Sequence, residues 1–145
     1  EGWALYCETL GIEMGLYETP HQHFGRLQME MWRAVRLVLD TGVHWHDWSR
    51  EQAITYFAKH VVLPGDTIAQ EVDRYIALPA QALAYQIGNL KMRELRARAE
   101  QALGSRFSVR DFHSAVIGGG AVSLPVLDMI VDAWIAEQEA PSLAA

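Results

Sequence analysis

The chain has 145 residues, half of them hydrophobic, and a formal net charge of −6. That length suits one domain with a substantial core. Twelve basic residues against 18 acidic ones, with no long basic run, argue against a nucleic-acid partner. No apolar run approaches the ~20 residues of a membrane span. A single cysteine excludes an internal disulfide and leaves the redox compartment unread.

The first predicted helix runs to Gly15. At 3.6 residues per turn Trp3, Cys7, Leu10 and Met14 form one apolar stripe. Glu1, Ala4, Leu5, Glu8 and Ile12 form a second, so two carboxylates point the same way from a largely buried helix. A buried carboxylate needs a cation, a hydrogen-bonding network or water. A metal would serve, and so would ion pairs with the arginines downstream. The chain opens inside this helix without a cap or an initiator Met, so a preceding segment is expected, with any targeting signal in it.

Tyr17 to His23 reads as a loop around Pro20. A helix is predicted from about Gln22 to Thr41, with Leu27, Met31, Ala34 and Val38 on one face and Trp32, Val35 and Leu39 beside them. Arg26, Glu30, Arg33 and Asp40 make its polar stripe, and Gly42 is placed to stop it. Val43 to Trp48 follows as a short aromatic segment. Ser49 and Gln52 then spell a capping box for a helix to about Val61. Leu63-Pro64-Gly65 breaks that helix, and Asp66 is a cap for the next, which carries Ile68, Val72, Tyr75 and Ile76. Pro79 disfavours helix at Leu78 and predicts a break.

A long helix is predicted beyond it to about Leu103, with Gly104 at C′. Ser108 with Asp111 is another capping signature, and Phe107 with Phe112 suits a hydrophobic staple. Gly118-Gly119-Gly120 stops that helix. Ser123-Leu124-Pro125 starts the last one, with Val126, Leu127, Ile130, Val131 and Trp134 inward and a frayed tail from Glu137. No alternating strand pattern, hairpin signal or repeat occurs. The expected fold is all-α, with six or seven helices in a single domain.

Six histidines are the first candidates for chemistry. His21 and His23 lie two apart in a predicted loop, and so do His44 and His46. His60 and His113 lie on separate helices. None has the i,i+4 spacing of a zinc helix, so a surface or capping role is the plain alternative for each. His44 stands out because it follows a glycine turn among indoles, where desolvation tunes a pKa. Tyr75, beside Arg74, and Tyr85 flank the Pro79 break. Each is either a core tyrosine or a hydroxyl donor aimed into a cavity. The triple glycine lacks the strand of a nucleotide loop, and Cys7 lacks a His/Asn framework, so both read as structural.

Several longer stretches carry a resemblance: Glu-Gly-Trp-Ala-Leu-Tyr at 1–6, Arg-Ala-Val-Arg-Leu-Val-Leu-Asp-Thr-Gly-Val-His at 33–44 and Trp-Ser-Arg-Glu-Gln-Ala at 48–53. The run from Glu71 to Gly88 and Arg-Asp-Phe-His at 110–113 belong with them. Together they resemble the C-terminal part of the DUF885 family, bacterial proteins related to gluzincin-type zinc metallopeptidases. In such enzymes an upstream helix supplies two His ligands and a catalytic Glu, and a later helix supplies a Glu as third ligand. The resemblance places Glu1 in that third-ligand role and leaves the histidine helix outside this sequence.

It also implies a peptide substrate. Peptide hydrolysis at zinc needs donors for a tetrahedral oxyanion. His44 and Tyr75 are candidates, Tyr85 competes with Tyr75, and Arg74 is a candidate for the substrate carboxylate or for a structural partner such as Asp73 or Glu71. The main expectation is the C-terminal helical half of a zinc-dependent peptidase, with zinc in the full-length protein but not held tightly by this stretch alone, since only one of about three ligands is present. The rival expectation is a catalytically silent helical module that binds a partner or stabilises the missing N-terminal half. Apolar surface left uncovered by that half predicts self-association.

Overall fold

The computed structural model describes residues 1–140. Seven α-helices and no strand occur among them: α1 (Gly2–Glu13), α2 (Pro20–Trp45), α3 (Arg50–His60), α4 (Gly65–Ala77), α5 (Ala84–Leu103), α6 (Val109–Gly118) and α7 (Leu124–Glu139). The expected all-α class is what the chain adopts. The helices fall into two compact units, one from Glu1 to Asn89 and one from Leu90 onward, with α5 running through both.

In the first unit α2 packs against α3 and α4. Val35 and Leu39 of α2, Ala53 and Phe57 of α3, and Ile68, Val72 and Tyr75 of α4 form one buried cluster, joined by Val61 and Ala82. Burying a side chain the size of Leu39 or Phe57 contributes roughly 1.5–3 kcal/mol. Helix α1 has no side-chain cap. Its first turn is held by contact instead. A Cβ on Gly2 would lie 2.4 Å from the Gly88 backbone, so the two helices touch main chain to main chain.

The start and end of α2 differ from expectation. Thr19 caps it, its side chain accepting from the Gln22 amide, and Pro20 is the first helical residue. His21 and His23 therefore lie on the first turn rather than in a loop. At the other end Gly42 does not stop the helix, which runs three residues further and carries His44 on its last turn. The missing Cβ of Gly42 admits the Trp48 ring, which a Cβ would meet at 2.6 Å. The Trp48 amide also donates to the Gly42 carbonyl at 2.9 Å. Gly42 is thus a packing surface inside a helix.

The Ser49–Gln52 capping box forms as read. Asp66 does not cap α4; Pro64 occupies that position and Asp66 lies in the first turn. The break after α4 comprises Leu78, Pro79 and Ala80, then a 3-10 turn at Gln81–Leu83. Ala80 takes a left-handed conformation, φ 67°, and its amide donates to Asp40 Oδ2 at 2.9 Å. The buried Asp40 carboxylate therefore shapes the break.

In the second unit Leu95, Ala99, Leu103, Phe112, Val116, Leu127, Val131 and Ile135 are buried. Lys91 and Arg98 of α5 both pair with Asp128 of α7. Ser108 accepts from the Asp111 amide, and the Phe107 and Phe112 rings lie 6.0 Å apart. Gly104 and Gly120 take positive φ beyond their helices. Val126, expected inward, is exposed. The tail expected from Glu137 is helical to Glu139, and positions 141–145 of that reading lie outside the described residues.

Candidate functional site

Helix α2 sets Trp32 and Arg36 one turn apart, and α4 sets Glu71 and Tyr75 one turn apart. The two pairs face each other. Arg36 Nε donates to the Tyr75 hydroxyl at 2.7 Å, and Trp32 Nε1 donates to the same oxygen at 2.9 Å. Tyr75 in turn donates to Glu71 Oε2 at 2.6 Å. A phenol has one hydrogen to give and two lone pairs to offer, so the Tyr75 hydroxyl is fully occupied.

Glu71 is shared by two guanidiniums. Arg36 reaches its Oε2 at 3.0 Å, and Arg74 reaches both oxygens at 3.2 and 3.0 Å. Burial pushes the Glu71 carboxyl up, but hydrogen bonds from Arg74 and Tyr75 and the charges of Arg74 and Arg36 outweigh it and hold the group below the usual range. Tyr75 is pushed up, first by burial and then by its bond to Glu71, so it stays protonated across neutral pH.

Arg36 is 5% exposed, and its guanidinium lies 4.8 to 5.3 Å from the ring centres of Tyr85, Trp32 and Tyr75. Aromatic faces stabilise a desolvated cation at that range. Its Nη1 is buried without a hydrogen-bond partner. Arg33, one turn earlier, makes no ion pair among the described residues; burial and the Arg36 charge lower its pKa, with Glu8 acting the other way.

A second limb runs outward from Arg74. Its Nη1 donates to Gln81 Oε1 at 2.9 Å, and Gln81 Nε2 donates to Glu1 Oε1 at 3.1 Å. Arg74 has no acceptor to offer, so it fixes which end of the Gln81 amide meets Glu1. Glu1 itself is exposed. The Tyr85 hydroxyl lies 3.5 Å from Gln81 Nε2, and its own hydrogen has no acceptor among the described residues. His44 Nε2 donates to the Tyr75 carbonyl at 2.9 Å.

The first unit therefore brings Glu1, Arg74, Tyr75 and Tyr85 into one connected cluster and ties His44 to its back. The other histidines stand apart: His60 bonds the Tyr56 carbonyl, His23 packs on Tyr17, and His113 lies in the second unit. Burial raises the Cys7 thiol. Two members of the cluster, Arg36 and Gln81, are given no role by the sequence, and Trp32 is expected there only as an apolar residue of its helix. Arg36 carried a signal, because it falls on the same helical face as Trp32, Leu39 and Val43, where a cation must find partners.

No group of three His, Cys, Asp or Glu side chains able to hold a metal occurs among the described residues. Glu1 is the sole acidic group on the outer limb, and a catalytic zinc site takes about three protein ligands. These residues alone do not fit a complete metal centre.

The fold and the cluster define an all-α helical module organised on a buried Arg–Glu–Tyr network. The chain belongs to the DUF885 family, whose model, described as a bacterial protein of unknown function, matches residues 1–131. It is similar to a crystal structure described as "the putative lipoprotein from Colwellia psychrerythraea", at 45% identity and a TM-score of 0.92. That match covers 94% of this chain and 24% of the Colwellia chain, so the present chain spans about a quarter of the length of that relative. No curated protein matches it.

Proposed function

We propose that the chain serves as a helical module within a longer DUF885 protein, where it packs against the rest of the polypeptide and has a structural, partner-docking role. The observation that carries this is the saturation of the Tyr75 hydroxyl. The Tyr75 hydroxyl gives its hydrogen to Glu71 and accepts from Trp32 and Arg36, which leaves it nothing to offer a substrate. His44 already donates to the Tyr75 carbonyl. Such a network stabilises a fold and specifies one packing. The test uses the full-length protein with Tyr75→Phe and His44→Ala. Earlier melting with unchanged activity per folded molecule supports the module. Normal melting with a turnover loss of roughly 10²–10³, the size expected for a lost oxyanion donor, refutes it.

A second reading has its own support. In it the chain is the C-terminal part of a zinc-dependent peptidase. Glu1 is the third metal ligand, Arg74 or its neighbours hold the substrate carboxylate, and a tyrosine serves as oxyanion donor. The Arg74–Gln81–Glu1 limb favours it, because ligand carboxylates are held by an outer hydrogen bond that fixes their orientation. On this reading Tyr85, whose hydrogen is uncommitted, is the better donor than Tyr75. Zinc content of full-length Glu1→Gln decides it: retained zinc removes Glu1 from the ligand set.

A further inference from the structure

Helix α2 is apolar on two sides. One side, Val35, Leu39 and Val43, faces the core. The other follows a different rule. Phe24, Met31, Val38 and Trp45 recur every seven residues, and Leu27, Ala34 and Thr41 recur at the same interval three residues later. That is an a/d heptad seam three repeats long, with a apolar throughout and d passing from the large Leu27 to the small Ala34 and the polar Thr41. At 1.5 Å per residue it extends about 32 Å.

The seam faces out. Phe24, Leu27 and Val38 are exposed, Met31 is 46% exposed and Trp45 is 81% exposed. A cavity of about 460 Å³ already lies along its first half, lined by Phe24, Leu27, Met31, Ala34, His60 and Gln86. Glu30 at the edge is paired with Arg26, so no bare charge lies on the seam. A heptad seam of this width fits one object, another helix packed knobs-into-holes at a crossing of about +20°.

We propose that the outward seam of α2 seats an α-helix from the remainder of a full-length DUF885 chain, one presenting aliphatic and aromatic side chains at heptad spacing. The occupant is argued from length. The module matches 24% of the Colwellia chain while 94% of the module aligns at a TM-score of 0.92, so most of that chain lies outside the matched part. The proposal rests on the module reading above and names the surface through which the module packs.

Three methionines make the test, with peroxide oxidation followed by mass spectrometry on a full-length DUF885 chain carrying these residues. Met31 lies on the seam, whereas Met14 and Met129, each 70% exposed, lie elsewhere. A covered Met31 oxidises about tenfold more slowly than the faster of the other two, and an open Met31 keeps within about twofold of it. Slow oxidation of Met31 that persists on dilution supports the proposal. Slow oxidation that dilution abolishes assigns the seam to a second copy and overturns it. Fast oxidation of Met31 with Met14 or Met129 protected overturns the seam but leaves the module reading standing. Fast oxidation of all three overturns both.

Discussion

Tyr75 donates to Glu71 at 2.6 Å from within the same helix, one turn apart, and the same Glu71 oxygen receives Arg36 from α2. One carboxylate thus joins two helices through a phenol and a guanidinium.

Removing the phenol oxygen strands Trp32 Nε1 and Arg36 Nε without acceptors in the core. Tyr75→Phe is expected to cost at least about 2 kcal/mol of unfolding free energy, since each of the two stranded buried donors costs about 1–3 kcal/mol. Tyr85→Phe keeps its ring beside Arg36 and loses only a contact at 3.5 Å. Its expected cost is below about 0.5 kcal/mol. Urea denaturation of the two variants side by side checks the contrast.

The same carboxylate sets an acid limb. Glu71 titrates lower in the folded chain than in the unfolded one. Its contribution is therefore complete above the unfolded value, about pH 4.3, and is lost as pH falls through the lower folded value. Asp73 is also depressed, by its hydrogen bonds from Arg50, and Asp128 by those from Arg98 and Lys91, but Asp73 is exposed and Asp128 half-exposed, so solvent screens both. Glu71→Gln is expected to lower stability at pH 7 and to flatten the decline below about pH 4. Melting temperatures at pH 3, 5 and 7 report it; an unchanged slope would show that Glu71 titrates normally.

Where sequence and structure agree, the cause is local. Ser49 caps α3 because its partner Gln52 is three residues away, and Gly104 follows α5 with positive φ as a C′ glycine does. Thr19-Pro20 carried the same kind of signal, a cap followed by proline at the first helical position, yet proline beside histidines reads equally as a loop. Gly42 was illegible for another reason. Whether a glycine ends a helix or admits a ring depends on Trp48, whose position is a tertiary fact. Arg36 and Glu71 are 35 residues apart, and no spacing rule reaches that far. Of the site, Glu1, Arg74, Tyr75 and Tyr85 were visible as residues, but not the Gln81 amide that links the first two.

The contact of Gly2 with Gly88 predicts an unusual result for alanine. Alanine is favoured over glycine in a helix by about 1 kcal/mol. At position 88 its Cβ would meet the Gly2 Cα at 2.7 Å, and backbone cannot turn aside as a side chain can. Gly88→Ala is expected to destabilise by about 1–3 kcal/mol despite the propensity gain. Gly118→Ala, which meets nothing within 4 Å, is expected to be neutral or stabilising by about 0.4–1 kcal/mol. Thermal melts of both test it; a stable Gly88→Ala would mean the two helices slide apart freely.

Gln81→Leu separates the outer limb from the inner cluster. Its side chain bonds Arg74 and Glu1 but not Tyr75 or Glu71. If Glu1 is a metal ligand in the full-length protein, Gln81→Leu is expected to weaken zinc binding by about 10–100-fold while the melting temperature of the zinc-free protein barely moves. A competitive chelator titration measures the first and calorimetry the second. Unchanged affinity would leave Gln81 a surface link alone.

Arg36 and Arg74 divide the Glu71 charge between them, and Arg33 beside them makes no ion pair among the described residues. In a molecule of net charge −6, Glu1, linked to Arg74 through Gln81, and the buried Asp40 bring further negative charge beside the arginines. From far off an anion meets repulsion, while close in each guanidinium stands beside a carboxylate that offsets it. Added salt screens the distant field first and the enclosed one least. Higher ionic strength should then ease the approach of an acidic molecule while leaving the partly buried Arg36–Glu71 pair nearly intact.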